Sequence, residues 1–334
     1  MTVHDVAGRA GVSIGTVSHV ISGRQHVAPA TRQRVEAAMA ALGYRPNRVA
    51  RSLILRSTHT LGMVIPDVAN PFFGDLMRGV EEVARGRGYS VLFGNSDNDG
   101  DQEARYLDEF IERRVDALLV VVAAHRSSRL ADLPADLPVV ALDRLPDAWP
   151  HDAVVADNRA GVDLAVEHLV SLGHRRLGLV GGDPELATAR ERRAGFEAGV
   201  KIRGIEPVWM SEGAFSLESG RAQAVALFGT PRETWPTAIV ATDDLLALGV
   251  LLAARERGVR IPGDVSIVGF DDITFARLSD PPLTTVRQPA REMGSRGARL
   301  VFQRLDGEPE LREVIVLRPE LVVRASATRC EMPA

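Results

Sequence analysis

Apolar residues recur along this chain with two different periods, and the change of period divides it. Over residues 2–22 the spacing is helical: Val3, Val6, Ala7 and Ala10 form one stripe, and Val17, Val20 and Ile21 another. Thr2 is placed to cap the first helix, with Asp5 in the first turn, where the helix dipole favours a carboxylate. Gly11 suits a left-handed turn, and Ser13 can cap the second helix. Ile14, Gly15, Thr16, Ser18 and His19 are then left pointing outward. A third helix, from about Pro29 to Leu42, offers Val35, Ala38, Met39 and Leu42 to the same core, and Gly43 ends it. The segment 48–55 that follows has an arginine-bearing face and a leucine-bearing face, and is too short to be a stable helix alone.

From Leu61 onward, short apolar runs alternate with longer helical patterns. Strands are expected at Leu61–Pro66, Tyr89–Phe93, Ala117–Val122, Val139–Asp143, Arg176–Val180, Ala238–Ala241 and Val265–Phe270. Helices are expected at Pro71–Gly86, Asp101–Arg113, from Asn158 to Leu172, around Ala187–Arg203 and at Leu245–Arg257. The alternation predicts an α/β protein with two doubly wound parallel sheets behind an all-α head. In such sheets ligands sit beyond the carboxyl ends of the strands. The polar groups at those places are Asn70-Pro71-Phe72-Phe73, Asp143-Arg144, Arg190 and Arg192, Asp243-Asp244, Asp271-Asp272 and Gln288. Each also has an ordinary structural use: Asn70-Pro71 starts a helix, the phenylalanines can be core, Asp244 can cap, and the arginines can face solvent. Their shared placement argues for one site.

Composition narrows the class. A chain of 334 residues is long enough for two or three cores, and 45% hydrophobic with 25% charged residues excludes disordered and fibrous proteins. No run approaches the roughly 18 apolar residues a membrane helix needs. The start, MTVHDVAGRAG, has no apolar stretch of a secretory signal, so a cytoplasmic protein is expected. The single cysteine, Cys330, cannot form an internal disulfide. The net charge of −4 is unevenly spread: residues 1–58 carry +6 and the remainder −10. A basic head on an acidic body suits binding of a phosphate backbone at one end.

Chemistry other than binding finds little support. Gly11-Val12-Ser13-Ile14-Gly15 has the spacing of a hydrolase nucleophile, but follows an amphipathic helix instead of a core strand. Gly181-Gly182-Asp183 lacks the dinucleotide fingerprint and the phosphate-binding lysine. His168 and His174 have no cysteine partner. No catalytic residue, cofactor or metal is expected.

The stretch DVAGRAGVSIGTVSHVISG, followed by TRQRVEAAMAALGYRPNRVARSL, resembles the headpiece and hinge of LacI/GalR-family bacterial transcription regulators. DNRAGVDLAVEHLVSLGHRRLGLVGG, TARERRAGF, GDVSIVGFDD and PPLTTVRQP are similar to that family's effector domain, whose fold is shared with periplasmic sugar-binding proteins. The resemblance runs from residue 2 to about 325. It implies a helix-turn-helix headpiece over 1–45 and a hinge helix with linker over 46–58. It further implies an N-lobe over 59–156 plus 289–317 and a C-lobe over 157–288 plus 318–334. Chain crossings then fall near 157, 288 and 318.

What the family does becomes an expectation for this chain. It is a ligand-controlled regulator, most simply a repressor, that binds double-stranded operator DNA of pseudo-palindromic sequence as a homodimer. Ile14, Gly15, Thr16, Ser18 and His19 would face the major groove. Arg48 would touch phosphate, and Leu53, with Ala50 on the same face, would wedge into the minor groove. The chain departs from the family at Ala28, where a capping serine is usual, and at Gly15, where a longer side chain is usual. No tetramerisation helix is expected after Arg324.

The cleft motifs resemble the ribose-binding branch in NPFF, LDR, ARER, the Phe215 segment, GFDD and VRQP. This implies ligand contacts from Asn70, Phe72, Phe73, Asp143, Arg144, Arg192, Phe215, Asp243, Asp271 and Gln288. The branch has asparagine where Asp243 stands. Three carboxylates against two cations disfavour phosphorylated or carboxylated ligands and suit a small neutral sugar, a ribose-like pentose. The rival readings are a sugar-binding transport protein, which has no use for residues 2–55, a purine- or nucleoside-responsive corepressed regulator, and an α/β enzyme lacking its catalytic cluster.

Overall fold

The computed structural model describes residues 1–21, 27–44, 57–123, 128–146, 148–308 and 311–330. Helices α1 (Val3–Ala10), α2 (Ile14–Ile21) and α3 (Pro29–Ala41) make the head. Thr2 and Asp5 cap α1 reciprocally: the Thr2 N–H donates to Asp5 at 2.7 Å, and the Asp5 N–H donates to the Thr2 hydroxyl at 3.4 Å. Gly11 turns the chain with φ 63°, and Ser13 accepts the Thr16 N–H at 3.1 Å at the start of α2. Val6, Val17 and Val35 are wholly buried, with Ala7, Ala10, Val20 and Ala38 around them. The helical stripes read from the sequence therefore meet in one small core. The expected hinge residues Arg48, Ala50 and Leu53 lie outside the described residues.

Helix α3 starts at Pro29 with Ala28 at the capping position and no side-chain acceptor there. Thr31 and Arg32 donate their N–H groups to the Ala28 carbonyl at 2.9 and 3.0 Å, and a hydroxyl at position 28 would add the side-chain acceptor this first turn lacks. Ala28→Ser is expected to stabilise the head by about 0.5–2 kcal/mol. Hydrogen exchange of the α3 amides in the full chain would slow accordingly. Unchanged exchange would mean that the uncapped first turn does not limit this helix.

The body contains two six-stranded sheets. The first is built from β1 (Thr60–Ile65), β2 (Ser90–Asn95), β3 (Ala117–Val120), β4 (Val139–Leu142), β5 (Asp152–Ala156) and β11 (Val314–Leu317), in the order β11-β5-β4-β3-β1-β2, all parallel. The second holds β6 (Leu177–Val180), β7 (Trp209–Ser211), β8 (Ala238–Ala241), β9 (Ser266–Asp271), β10 (Thr284–Arg287) and β12 (Glu320–Val322), ordered β12-β10-β9-β8-β6-β7. This sheet is parallel as expected except at its last strand: β12 runs antiparallel to β10, pairing Thr285 with Val322. The last strand enters from the other sheet through a two-residue link, Arg318-Pro319, after β11.

The helices of the first lobe are α4 (Pro71–Gly86), α5 (Gly100–Glu112) and α11 (Ala290–Leu305); those of the second are α6 (Asn158–Ser171), α7 (Ala187–Ile202), α8 (Leu217–Phe228), α9 (Asp244–Glu256) and the short α10 (Thr274–Leu278). The chain passes from β5 through Asp157 into α6. It returns from β10 through Gln288 and Pro289 into α11, which packs on α4. It leaves again between β11 and β12. Leu61, Met63, Leu76 and Met293 fill one side of the first sheet, and Val64, Leu107, Phe110 and Leu118 the other. Among the described residues, no helix is long and apolar enough to cross a membrane.

Several elements have no counterpart in the sequence expectation. β5 begins with Asp152, a buried carboxylate that breaks the apolar run and pairs with Arg304 at 2.8 Å. β10 opens with Thr284 and Thr285, both wholly buried. The Thr284 N–H donates to the Ser326 hydroxyl at 2.8 Å and the Thr285 hydroxyl to Asp244 at 2.6 Å, so these polar groups are satisfied by distant partners. Periodicity cannot see partners of that kind.

Candidate functional site

The carboxyl ends of both sheets face one cleft. The ten residues that the resemblance implied as ligand contacts line it: Asn70, Phe72, Phe73, Asp143, Arg144, Arg192, Phe215, Asp243, Asp271 and Gln288. Asp67, Asn98 and Thr188 line it as well and were not singled out from the sequence. Asp67 and Asn98 follow β1 and β2, so the strand-end rule would have found them. Thr188 lies four residues before Arg192 on α7, one turn along the same face.

On the first-lobe side, Asn70 caps α4, its side-chain oxygen accepting the Phe72 N–H at 3.0 Å. Phe72 and Phe73 meet edge to face, 5.2 Å between ring centres, and belong to the lobe's core. Both readings of this motif therefore hold together: it starts a helix and also forms a wall. Arg144 donates to the Val122 carbonyl at 2.9 Å and to Asn98 at 2.7 Å. Its guanidinium lies 6.0 Å from the Phe73 ring centre.

On the second-lobe side, Arg192 donates to Asn158 at 2.8 Å and to the Thr242 carbonyl at 2.6 Å. It sits 4.0 Å from the Phe270 ring centre and 5.6 Å from that of Phe215. Asp271 accepts from the Gln288 amide at 2.6 Å and lies 3.7 Å from Arg192. Asp243 caps α9 by accepting the Leu246 N–H at 3.1 Å.

Two features mark the cleft as more than a packed seam. Asp143 and Asp271 stand at φ 62° and 115°, where a non-glycine residue costs on the order of 1–3 kcal/mol. Both aim a carboxylate at the cleft. In addition Asp143 Oδ1, Arg144 Nε and Gln288 Oε1 are buried without a hydrogen-bond partner. Two are acceptors and one is a donor. Burial pushes the carboxyls of Asp143, Asp243 and Asp271 above the usual carboxylate range, and lowers Arg144.

Other strand-end groups turn elsewhere. Arg190 donates to the carbonyls of Pro184 and Glu185 at 3.1 and 2.7 Å and does not line the cleft. Asp272 pairs outward with Arg287 and Arg324. Asp244 turns into the core, accepting the Thr285 hydroxyl and, at 2.9 Å, the Ile273 N–H. Burial pushes it up to about 8, against the lowering effect of those two bonds.

A folded-state value above the unfolded value of about 4 means that folding binds this proton more tightly. The stability it brings is complete below pH 4 and is lost as pH rises through about 8. Asp244→Asn keeps an acceptor for Ile273 and a donor for Thr285 but has no proton to lose. Its urea midpoint is expected to match the parent's at pH 5 and exceed it at pH 9. Parallel pH profiles would show that the slope has another source.

In the head, Ile14, Gly15 and His19 are exposed, while Thr16 and Ser18 are half-buried on the same helix. The Thr16 hydroxyl lies 2.9 Å from that of Ser13, so it already serves the turn.

Residues 2–47 match the family model for bacterial regulatory proteins of the lacI family, and residues 166–327 a periplasmic binding protein-like domain. The HTH-type transcriptional repressor PurR of Pasteurella multocida (strain Pm70) is 38% identical over 333 residues, spanning 97% of this chain and 98% of the relative. The chain belongs to the LacI family. This LacI-family protein is a regulator and not an enzyme. The lac repressor dimer bound to operator and the anti-inducer ONPF is similar to it at 30% identity and a TM-score of 0.88, over 98% of this chain and 99% of that one. A LacI family transcriptional regulator from Enterococcus faecium with bound ribose is similar at 29% identity and a TM-score of 0.74, over 81% and 100%.

Proposed function

We propose that this LacI-family protein is a homodimeric repressor whose two heads read half-sites of a pseudo-palindromic operator, and whose cleft takes a neutral pentose, D-ribose first. The domain division that goes with this is a head over 1–45, a hinge over 46–58 and two lobes exchanging chain near 157, 288 and 318. In the head, Ile14, Gly15, Thr16, Ser18 and His19 face base edges, while Arg48, Ala50 and Leu53 of the hinge meet the minor groove and phosphate. It works in the cytoplasm.

The observation that carries the ligand reading is the set of unpaired buried atoms, Asp143 Oδ1, Arg144 Nε and Gln288 Oε1. A buried polar atom without a partner costs about 1–3 kcal/mol. A hydroxyl both donates and accepts, so a polyol can satisfy acceptors and donor together. Phe72, Phe73 and Phe215 offer apolar faces to the C–H side of a flat ring. Those same aromatic walls favour the second reading, a purine or nucleoside acting as corepressor.

Ligand that closes the cleft shifts the heads relative to one another, and the coupling is reciprocal: operator changes ligand affinity by the same factor. Calorimetry of the full chain against pentoses, hexoses, nucleosides and purines tests this. Heat with D-ribose, and release of operator on its addition, is the expected result. Tight binding of a purine or hexose with no heat from any pentose would sink the pentose reading and leave the family intact.

A further inference from the structure

The chain enters the first sheet through Ser57, Thr58 and His59, on its way from the head to β1. One side chain holds all three. The Asp116 carboxylate accepts the Ser57 hydroxyl at 2.6 Å and the Thr58 and His59 N–H groups at 2.8 Å each. Bonds to a charged acceptor are about twice as strong as neutral ones. The Thr58 hydroxyl also donates to the Arg114 carbonyl at 2.9 Å. His59 stands at φ 50° and Arg114 at φ 56°, a region that non-glycine residues enter at a cost. The junction is thus held in a conformation that local preference disfavours. On its other side the His59 ring packs on Tyr89, 4.8 Å between centres, and Tyr89 meets Phe302 of α11 edge to face at 4.9 Å.

Strand pairing does not need this carboxylate. The Asp116 N–H donates to the Thr60 carbonyl at 2.8 Å, so the backbone already joins β1 to the start of β3. The side-chain bonds are additional and fall on the residues before β1. Asp116 directly precedes β3, an interior strand whose four residues are wholly buried. Beyond the other end of β3, about 20 Å away at the rise of a strand, the Val122 carbonyl accepts from Arg144 of the cleft at 2.9 Å. One rigid strand therefore joins the place where a cleft arginine is held to the place where the chain leaves for the head.

We propose that Asp116 is a positioning residue for operator recognition: it fixes the direction in which the chain leaves the first lobe, so that the heads meet their half-sites at the spacing the body sets. This rests on the reading of the chain as an operator-binding repressor. Half-sites lie about 34 Å or a multiple of it apart, so both heads must be placed before either half-site pair is read. A head on a loosened exit still binds phosphates, which carry no register, but specific binding must first restore the exit geometry. Asp116 acts through Ser57, Thr58 and His59, and not by contact with DNA.

Asp116→Asn tests this in the full chain. The amide keeps an acceptor for the Thr58 N–H but turns an NH2 group toward the Ser57 hydroxyl and the His59 N–H. The specific probe is a duplex selected from a random library by the parent protein, and the non-specific probe a scrambled duplex of equal length. Anisotropy is expected to show the ratio of specific to non-specific affinity falling by about 10- to 100-fold, the worth of a lost charge-assisted bond. Non-specific binding should be kept or slightly strengthened, since a negative charge has gone. A merely structural loss of folded protein would lower both affinities together and leave the ratio unmoved. A folded Asp116→Asn with the parent's ratio would overturn the proposal. Should that variant not fold, Ser57→Ala, which removes one bond and keeps the carboxylate, decides by the same ratio. If the parent enriches no sequence from the library, the repressor reading falls and takes this proposal with it.

Discussion

Arg192→Ala is expected to abolish the ligand response and leave operator binding within a few-fold of the parent, producing a repressor that no longer answers its effector. The guanidinium joins four parts of the second-lobe wall: Asn158, the Thr242 carbonyl, Asp271 and the faces of Phe270 and Phe215. Its removal leaves the Asn158 and Thr242 acceptors without this donor, and Arg144 as the one cation among the described residues lining the cleft. A charge-assisted hydrogen bond is worth about 1.5–3 kcal/mol, so ligand affinity should fall by about 10- to 100-fold on that account alone. The head has its own core, centred on Val6, Val17 and Val35, and should not register the change. Arg190→Ala is the control, since that arginine binds loop carbonyls outside the cleft. Anisotropy of a labelled operator with and without ligand measures both. Equal responses from the two variants would remove Arg192 from the site.

Gly294→Ala is expected to destabilise the first lobe severely. Helices α4 and α11 cross backbone to backbone: a Cβ on Gly294 would come within 2.1 Å of the Leu76 carbonyl oxygen, and one on Gly79 within 2.0 Å of the Arg291 carbonyl oxygen. The obstructing atoms are backbone, so relief means separating the helices. Overpacking costs about 1–3 kcal/mol when side chains can move, and the cost here should reach or pass the upper end. The second lobe repeats the device, with Gly220 against Leu246 and Gly249 against Leu217. Gly86→Ala, also on α4 but in open space, should instead gain up to about 1 kcal/mol. Urea midpoints of the two variants should move in opposite directions. Loss of the contact would reach the cleft too, because α4 starts at Pro71, beside Asn70, and α11 starts two residues after Gln288.

By itself, the sequence determined whatever depends on near neighbours. The capped helices of the head follow from Thr2, Gly11 and Ser13 acting within a turn of themselves, and the bounds of α4 and β8 from a cap with proline and from an apolar run. The cleft lining was legible because strand ends in a doubly wound sheet converge, and a polar residue just after an apolar run marks such an end. Only the tertiary structure decided which strand-end groups work together. Arg190 and Arg192 are two residues apart, yet helical rotation turns one toward loop carbonyls and the other toward the cleft. Asp243 and Asp244 are adjacent, yet one lines the cleft and the other enters the core to hold β10. The strand β10 itself was invisible because Thr284 and Thr285 are satisfied by groups 41 and 42 residues away. A local pattern records the spacing of side chains along the chain, whereas a satisfied buried hydroxyl depends on partners that only the packed fold supplies.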